Sequence, residues 1–205
     1  RFCSAVLRLS EGQFGGAPFE LEPSQRFICG SLFGWKRKSD GKRRFRRAYI
    51  EQGKGNGKSP MVGAIGLYGL VADGESGAQI YAAGATKEQA SILFRDAVGM
   101  VDKAPALDKH IRRSGGPGRE YNLAHMKSGS FFRPVSRETK KTGSGPRPHF
   151  ALCDEVHEHP DGGVIEILER GFKFREQPLL VMITNSGSDR QSICWHERKH
   201  AVAVA

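Results

Sequence analysis

The stretch that decides the fold reads Gln52-Gly53-Lys54-Gly55-Asn56-Gly57-Lys58-Ser59. The residues before it, 44–51, predict a strand, and the apolar residues 58–72 after it predict a helix. Glycines let backbone N–H groups turn inward around phosphate oxygens, and the N-terminus of a helix attracts an anion. A strand, a glycine-rich turn and a helix in this order are typical of a phosphate loop.

Each residue of this loop has a predicted role at a bound nucleotide. The loop residues expected to surround the phosphates of ATP are Gly53, Lys54, Gly55, Asn56 and Gly57. Lys58 would contact the β- and γ-phosphates, and the hydroxyl of Ser59 would ligate Mg²⁺. The usual pattern has a glycine where Gln52 stands. The alternative is therefore a glycine-rich turn that ends in Gly-Lys-Ser by chance.

An acidic pair supplies the second motif. The apolar run Phe150–Cys153 predicts a buried strand, and Asp154-Glu155 follows it directly. Asp154 would face Mg²⁺ through water, and Glu155 would act as the general base on the attacking water. The stretch between Lys58 and Asp154 leaves room for one inserted strand–helix unit, as in phosphate-loop enzymes with an additional strand and a catalytic glutamate. A strand that simply ends in solvated acids is the alternative.

A third polar segment follows another apolar strand, 178–184. Its residues are Thr184, Asn185, Ser186 and Gly187. Thr184 and Asn185 are predicted to read the γ-phosphate state at the nucleotide site. An ordinary strand-to-loop turn would have the same composition.

The rest of the pattern alternates strands with helices, which favours an α/β fold with a mostly parallel central sheet flanked by helices. With the motifs above, the expected class is a P-loop NTPase of the RecA-like type that uses a catalytic glutamate. Residues 1–20 are predicted to be an irregular N-terminal arm, and residues 21–205 the ATPase domain. Helices are predicted over 23–33, after the cap Thr86, and over 163–172; further strands are predicted over 78–83, 119–125 and 129–135.

Composition limits the classes of protein. The chain has 205 residues, a mean hydropathy of −0.47 and a net charge of +10. We find no apolar run long enough for a membrane span and no paired cysteine spacing typical of a zinc ribbon. Residues 36–47 carry eight basic side chains, which is typical either of a solvated loop or of a phosphate-contacting patch. In the second case, replacing Arg43, Arg44, Arg46 and Arg47 reduces DNA affinity and its salt dependence.

Together these motifs resemble the large terminase family of tailed phages, over residues 20–190. The segment Leu21–Phe27 resembles the part of the family in which a glutamine reads adenine, and Gln25 occupies that place. Lys54 stands where the family often has arginine, so the role of that arginine does not carry over. Residues 85–90 and Asp154–Glu158 resemble the family's segments after the second strand and around its acidic pair, while 184–187 diverges from the family in its middle.

The resemblance implies a motor that threads double-stranded DNA into a procapsid. Its expected partners are the portal protein, the small terminase subunit and other copies of itself in a ring, with no membrane, in the cytoplasm of the infected bacterial host. Full-length members carry a nuclease domain after the ATPase; we expect it to be absent from this chain and expect no nuclease activity here. The ring also implies an arginine acting in trans. Of Arg112, Arg113, Arg119, Arg133 and Arg137, we favour Arg133 or Arg137.

Three other functions fit parts of the sequence. Asp154-Glu155-Val156-His157 also reads as the Asp-Glu-x-His box of a superfamily-two helicase or translocase lobe. His196-Glu197-Arg198-Lys199-His200 matches the zinc metalloprotease pattern, in which two histidines share one face of a helix. A non-catalytic DNA-binding module would explain the net charge alone. Zinc content and ATP turnover separate these functions.

Overall fold

A computed structural model describes residues 1–136 and 145–204. Its described residues form one seven-stranded sheet, in the order β1-β7-β6-β2-β5-β4-β3. The first five strands in this order, which are β1, β7, β6, β2 and β5, run parallel to one another. β4 and β3 extend the sheet beyond β5 and pair antiparallel. Their bounds are β1 (Arg47–Glu51), β2 (Gln79–Ala83), β3 (Ile111–Ser114), β4 (Asn122–His125), β5 (Ser130–Val135), β6 (Phe150–Cys153) and β7 (Leu179–Thr184). The predicted α/β class with a mostly parallel sheet is confirmed.

The strand order brings the predicted motifs to one edge of the sheet. β7 lies between β1 and β6, and every residue of β6 and β7 is buried. Because β1, β7 and β6 run parallel, their carboxyl ends meet at the same edge. The phosphate loop follows β1, the Thr184-Asn185 segment ends β7, and the acidic pair follows β6. β7, which comes after the acidic pair in the chain, thus lies between the strand of the phosphate loop and the strand of the acidic pair.

Helices cover both faces of the sheet, and each face has its own hydrophobic cluster. α2, α3 and α4 contribute to one cluster, and α6 and α7 to the other. The helices are α1 (Phe2–Val6), α2 (Pro23–Gly34), α3 (Lys58–Val71), α4 (Lys87–Asp102), α5 (Pro105–Asp108), α6 (Gly163–Gly171) and α7 (Ile193–Val204). No helix in the described ranges combines the length and the apolar character that a membrane crossing needs.

The helix that follows the phosphate loop lies unusually close to the sheet. A Cβ built at Gly69 of α3 would lie 2.5 Å from the Phe150 ring of β6. A Cβ at Gly66 would lie 2.6 Å from the Phe132 ring of β5. Only glycine fits at these positions, so the sequence of α3 fixes where its N-terminus, and with it the loop, stands over the sheet.

The structure differs from the sequence prediction at three places. β1 begins at Arg47 instead of residue 44. The stretch between Lys58 and Asp154 contains four strands together with α4 and α5, whereas one strand–helix unit was expected. One of these strands, the short basic β3 (Ile111–Ser114), was not predicted because its sequence does not alternate between apolar and polar residues. The predicted arm packs on the core, because Leu7 and Phe19 are buried in the cluster of α2–α4. The division at residue 20 stays a prediction.

An ion pair inside the core corrects the expectation for the basic segment 36–47. Arg43 is 0% exposed, and its Nη2 lies 2.7 Å from both carboxylate oxygens of Asp73. Nε2 of His149 lies 2.7 Å from the same carboxylate. Burial alone would raise the pKa of Asp73, but the hydrogen bond to His149 and the charge of Arg43 lower this pKa below its ordinary value. Arg43 therefore holds the fold together and is inaccessible to DNA.

Arg47 is exposed, but its guanidinium is paired with Glu169 and Glu197. Replacing Arg43 therefore tests folding and not DNA contact, contrary to the sequence-based expectation, whereas the expectation for Arg47 stays a prediction.

Candidate nucleotide site

Two glycines give the loop after β1 its shape. Gly55 has φ 85° and Gly57 has φ 66°, in the left-handed region that other L-residues rarely adopt. Gly57 is the N-cap of α3, so the helix begins at Lys58 directly after the second left-handed turn. The side chain of Asn56 donates to the carbonyl of Gly53 at 3.1 Å and closes the loop on itself. The loop therefore has the backbone of a phosphate site at a helix N-terminus.

Lys58 folds back over this loop. Its Nζ lies 2.9 Å from the carbonyl oxygen of Gln52, 3.2 Å from that of Gly53 and 2.9 Å from Oδ1 of Asn185. Three acceptors match the three donors of an ammonium group, so the charge of this buried residue is satisfied by the protein itself. Ser59, the next residue, is half-buried, and Lys54 is exposed on the loop.

Asp154 lies at the end of β6 and is buried. Its Oδ1 accepts a 2.8 Å bond from the backbone N–H of Glu155. Burial and the neighbouring charge of Glu155 raise the pKa of Asp154 to about 6, although that N–H and Lys58 lower it in part. The carboxylate is thus held where its negative charge is incompletely compensated, which favours a cation beside it.

Glu155 has a strained backbone. With φ 43°, it is the one non-glycine residue in the described ranges with positive φ. Such a conformation costs about 1–3 kcal/mol and is found mostly at functional sites. Nδ2 of Asn185 lies 3.3 Å from both carboxylate oxygens of Glu155. In this backbone conformation, the carboxylate of Glu155 lies beside Asn185, the residue that also binds Lys58.

Asn185 joins the three predicted motifs. Its amide oxygen accepts from Lys58 of the phosphate loop, and its amide nitrogen donates to Glu155 of the acidic pair. Thr184, which is fully buried, donates its hydroxyl proton to the carbonyl of Asn185 at 2.8 Å. The arrangement brings together a phosphate loop, a buried aspartate, a glutamate and a polar group that contacts both sides.

Comparison with known proteins identifies this combination. Residues 23–202 match the family described as "Terminase large subunit, ATPase domain". The chain belongs to the terminase large subunit family. The large terminase subunit of Enterobacteria phage HK97 is 27% identical over 194 residues, which are 92% of this chain and 35% of that protein. Protein YmfN of Escherichia coli K12 is 31% identical over 70 residues, or 34% of this chain and 15% of that protein.

Solved structures support the same fold. The crystal structure of the HK97 large terminase aligns with a TM-score of 0.82 and 23% identity, over 99% of this chain and 40% of that one. The large terminase ATPase domain of Thermus phage P74-26 aligns with a TM-score of 0.58 and 21% identity, over 83% of this chain and 72% of that one. The chain thus corresponds to the ATPase domain of a phage terminase and spans about a third of the HK97 protein, at 35%. The family match favours a terminase over a helicase lobe or a DNA-binding module.

Gln25, the residue that the resemblance assigns to adenine, contacts the phosphate loop of this terminase. Its Nε2 donates to the carbonyl of Gly57 at 3.3 Å, and its Oε1 accepts from the backbone of Glu22 at 3.1 Å. Gly57 has a positive φ, and a Cβ at this position would lie only 2.9 Å from Nε2 of Gln25. Both the backbone conformation and the lack of space therefore require a glycine there. Glu22 and Gln25 also form a capping box at the start of α2, which begins at Pro23 as the sequence predicted.

The structure describes one of the two arginines favoured for a role in trans. Arg133 lies on β5, where its guanidinium stacks 4.4 Å from the ring centroid of Phe131 and 5.3 Å from that of Tyr81. No described contact joins Arg133 to the phosphate loop or the acidic pair. Arg137 lies outside the described residues. A role in trans stays a prediction for both.

Two histidines lie next to the acidic pair; the sequence pointed to His157 only through the Asp-Glu-x-His box and did not point to His159. His159 is buried and lies 3.0 Å, through Nε2, from the carbonyl oxygen of Asp154; burial lowers the pKa of His159. His157 lies 3.0 Å, through Nδ1, from Oγ1 of Thr184. The signal was the alternation of histidine and glutamate over 155–159, which reads equally well as a solvated turn.

The glutamate of the metalloprotease pattern on α7 has another partner. Arg47 donates to both carboxylate oxygens of Glu197, at 2.6 and 3.2 Å, so the glutamate that would be the general base is held in an ion pair. His196 and His200 are exposed. Within residues 1–136 and 145–204, no group of three or more His, Cys, Asp or Glu side chains is placed to hold a metal ion.

Proposed function

We propose that this domain hydrolyses ATP with Mg²⁺ and that the hydrolysis drives double-stranded DNA into a procapsid. Asn185 carries the proposal, because one amide contacts both Lys58 and Glu155 and so links the phosphate loop to the acidic pair. The domain would act in a homo-oligomeric ring, with the portal protein and the small terminase subunit, in the host cytoplasm.

Each residue of the site has a task in this reaction. The loop N–H groups and Lys58 hold the phosphates, because a γ-phosphate offers Lys58 stronger acceptors than the carbonyls that it contacts here. Glu155 takes a proton from the attacking water as general base. When a γ-phosphate binds Lys58, the bond between Lys58 and Asn185 would break, while the bond between Asn185 and Glu155 would remain. The position of the Asn185 side chain would therefore depend on whether the γ-phosphate is bound.

The residues also fit a magnesium ion. Asp154 is a buried carboxylate whose charge is incompletely compensated, and Ser59 follows Lys58 at the start of α3. Mg²⁺ is commonly bound through one or two carboxylates together with substrate phosphates, which agrees with the lack of a larger ligand cluster in the described part of the chain. When bound, the ion supplies positive charge against the phosphate oxygens.

Two substitutions test the enzymatic part of the proposal. Lys58→Ala should abolish ATP turnover and weaken nucleotide binding, because no other described ammonium contacts the loop. Glu155→Gln should bind Mg·ATP with near wild-type affinity and lower kcat by at least about 100-fold. Turnover is measured by phosphate release and binding by a fluorescent ATP analogue, with Lys103→Ala, which removes an exposed lysine at the C-terminal end of α4, as the control. Wild-type turnover in either variant would contradict the assignment.

The contact with DNA is proposed for the cations of the basic segment that stay available. In the described ranges, ion pairs engage Arg37, Lys42, Arg43 and Arg47. No described ion pair involves the other four basic residues, which are Lys36, Lys38, Arg44 and Arg46. Arg44 also stacks on the exposed ring of Phe45. These four therefore can contact phosphates without breaking an internal bond.

The DNA proposal is tested by replacing Lys38 and Arg44 with alanine in the domain. Each lost phosphate contact lowers the slope of log affinity against log salt by about 0.9. The matched control is Arg112→Ala, which removes one exposed arginine on β3, at the opposite edge of the sheet from β1. An unchanged slope in the Lys38→Ala/Arg44→Ala variant would assign DNA contact elsewhere.

A further inference from the structure

His157 lies between the end of β7 and the proposed general base. Its backbone N–H donates to Oγ1 of Thr184 at 3.1 Å, and its Nδ1 lies 3.0 Å from the same oxygen. Nδ1 also lies 3.3 Å from Oε2 of Glu155. One histidine nitrogen therefore faces a buried threonine hydroxyl on one side and the glutamate carboxylate on the other.

The hydrogen bonds of Thr184 determine which nitrogen of His157 carries the proton. The hydroxyl has a single proton, and it donates that proton to the carbonyl oxygen of Asn185 at 2.8 Å. Oγ1 can then only accept from its other neighbours. This arrangement assigns the proton of His157 to Nδ1, which donates to Thr184. Oε2 of Glu155, which as a carboxylate is an acceptor, lies 3.3 Å from the same nitrogen.

The surrounding packing holds this orientation. Two bonds from one residue to one hydroxyl leave the imidazole little freedom to rotate. A Cβ at Gly187 would lie 3.1 Å from the Cβ of His157, so the backbone after β7 packs directly against the histidine. The imidazole is 23% exposed and the carboxylate 30% exposed, so the contact is partly shielded from water.

Glu155 needs such support because its backbone is strained and its other partner moves in the proposed cycle. Asn185 holds both carboxylate oxygens, but Asn185 also binds Lys58, which a phosphate would draw away. We infer that His157 is a positioning residue: its imidazole, fixed by Thr184, lies against the Glu155 carboxylate and orients it for proton abstraction. This inference rests on the proposed role of Glu155 as general base.

Three substitutions of His157 separate positioning from a structural role. The amide nitrogen of asparagine falls near the place of Nδ1, whereas that of glutamine reaches the place of Nε2. His157→Ala should lower kcat by about 10- to 100-fold, as loss of an orienting partner does at other sites, with KM for ATP changed less than about twofold. His157→Asn should restore most of kcat, and His157→Gln should resemble His157→Ala. Thermal unfolding of all three shows that each is folded.

A double substitution shows whether His157 acts through Glu155. In the Glu155→Gln background, His157→Ala should cause no further loss of the residual rate, because the two effects are then not additive. Equal kcat for His157→Asn and His157→Gln, or wild-type kcat for His157→Ala, would overturn the inference. Lys58→Ala and Glu155→Gln are measured in parallel. If they abolish turnover while His157→Ala keeps the wild-type kcat, the ATPase proposal stands and only the positioning role fails.

Discussion

Asp73→Asn should cost this domain a large part of its stability although Asp73 lies outside the nucleotide site. Asp73 follows α3 by two residues and is the counterion of Arg43, which is fully buried. Arg43 also donates to the carbonyl of Gln177 at 2.7 Å, and its guanidinium lies 5.1 Å and 5.0 Å from the ring centroids of Phe33 and Phe150. The pair thus ties α2, α3 and the entry to β1 to the core.

The magnitude follows from burial. The side chains of Arg43 and Asp73 are 0% and 5% exposed, so water cannot take over when the carboxylate is removed. Breaking a buried pair on one side costs about 3–5 kcal/mol, because the remaining charge is uncompensated. An asparagine also turns one acceptor into a donor that faces the guanidinium. Domains of this size lose about 2–4 °C per kcal/mol, so Tm should fall by about 6–20 °C.

Urea unfolding followed by circular dichroism measures the effect, and the slope against urea should be unchanged. The matched control is Glu166→Gln on α6, which removes an ion pair with Arg170 whose side chains are 61% and 77% exposed. That change should stay below about 0.5 kcal/mol. A loss for Asp73→Asn no larger than for the control would refute the argument that burial sets the cost.

The pH dependence of this variant has a definite sign. Because the pKa of Asp73 is lowered in the folded protein, its contribution is present above the ordinary aspartate pKa of about 3.9 and is lost as pH falls through the lowered value. The difference between wild type and Asp73→Asn should therefore be full at neutral pH and shrink below about pH 4. A difference that stays constant into acid would assign the loss to packing instead of charge.

Two further predictions concern the site itself. Because burial and Glu155 raise the pKa of Asp154 to about 6, its ionisation opposes folding at neutral pH by up to about 3 kcal/mol. This penalty is absent below about pH 4 and complete above about pH 6. Asp154→Asn should therefore abolish turnover but raise the free energy of unfolding by about 1–3 kcal/mol at pH 8. Urea titrations should show this increase at pH 8 and no increase at pH 4. Gln25→Ala should raise KM for ATP and GTP by the same factor, because its amide supports Gly57; a loss confined to ATP in parallel steady-state assays would show that Gln25 reads adenine.

The sequence predicted the parts of the site that depend on short-range order. A phosphate loop must follow a strand and precede a helix, and an acidic pair must end an apolar strand. Both conditions are visible within about ten residues of Lys58 and Asp154. Parallel strands then bring their ends to one edge, so convergence with Asn185 followed from the predicted α/β class.

The parts that could not be predicted depend on partners far away in the chain. Arg43 and Arg44 are adjacent and chemically identical, yet one is buried and the other exposed. The difference is set by Asp73 and Gln177, which lie 30 and 134 positions away. Likewise, β3 is a basic strand that pairs only at the end of the sheet, and nothing in its own residues marks it as extended.

The bonds at the site suit an exchange of partners. Lys58 is bonded to two backbone carbonyls and to Asn185, and Glu155 is bonded to Asn185 and lies beside His157. These partners are dipoles instead of full charges, so each bond is weaker than the one that an ionised phosphate offers Lys58. Binding a phosphate would therefore exchange the Lys58–Asn185 bond for a stronger one without leaving either group unpaired, since Asn185 keeps Glu155. Asn185, which would change partners, directly follows β7, the strand between β1 and β6, so the exchange would act on the strands that carry the phosphate loop and the acidic pair.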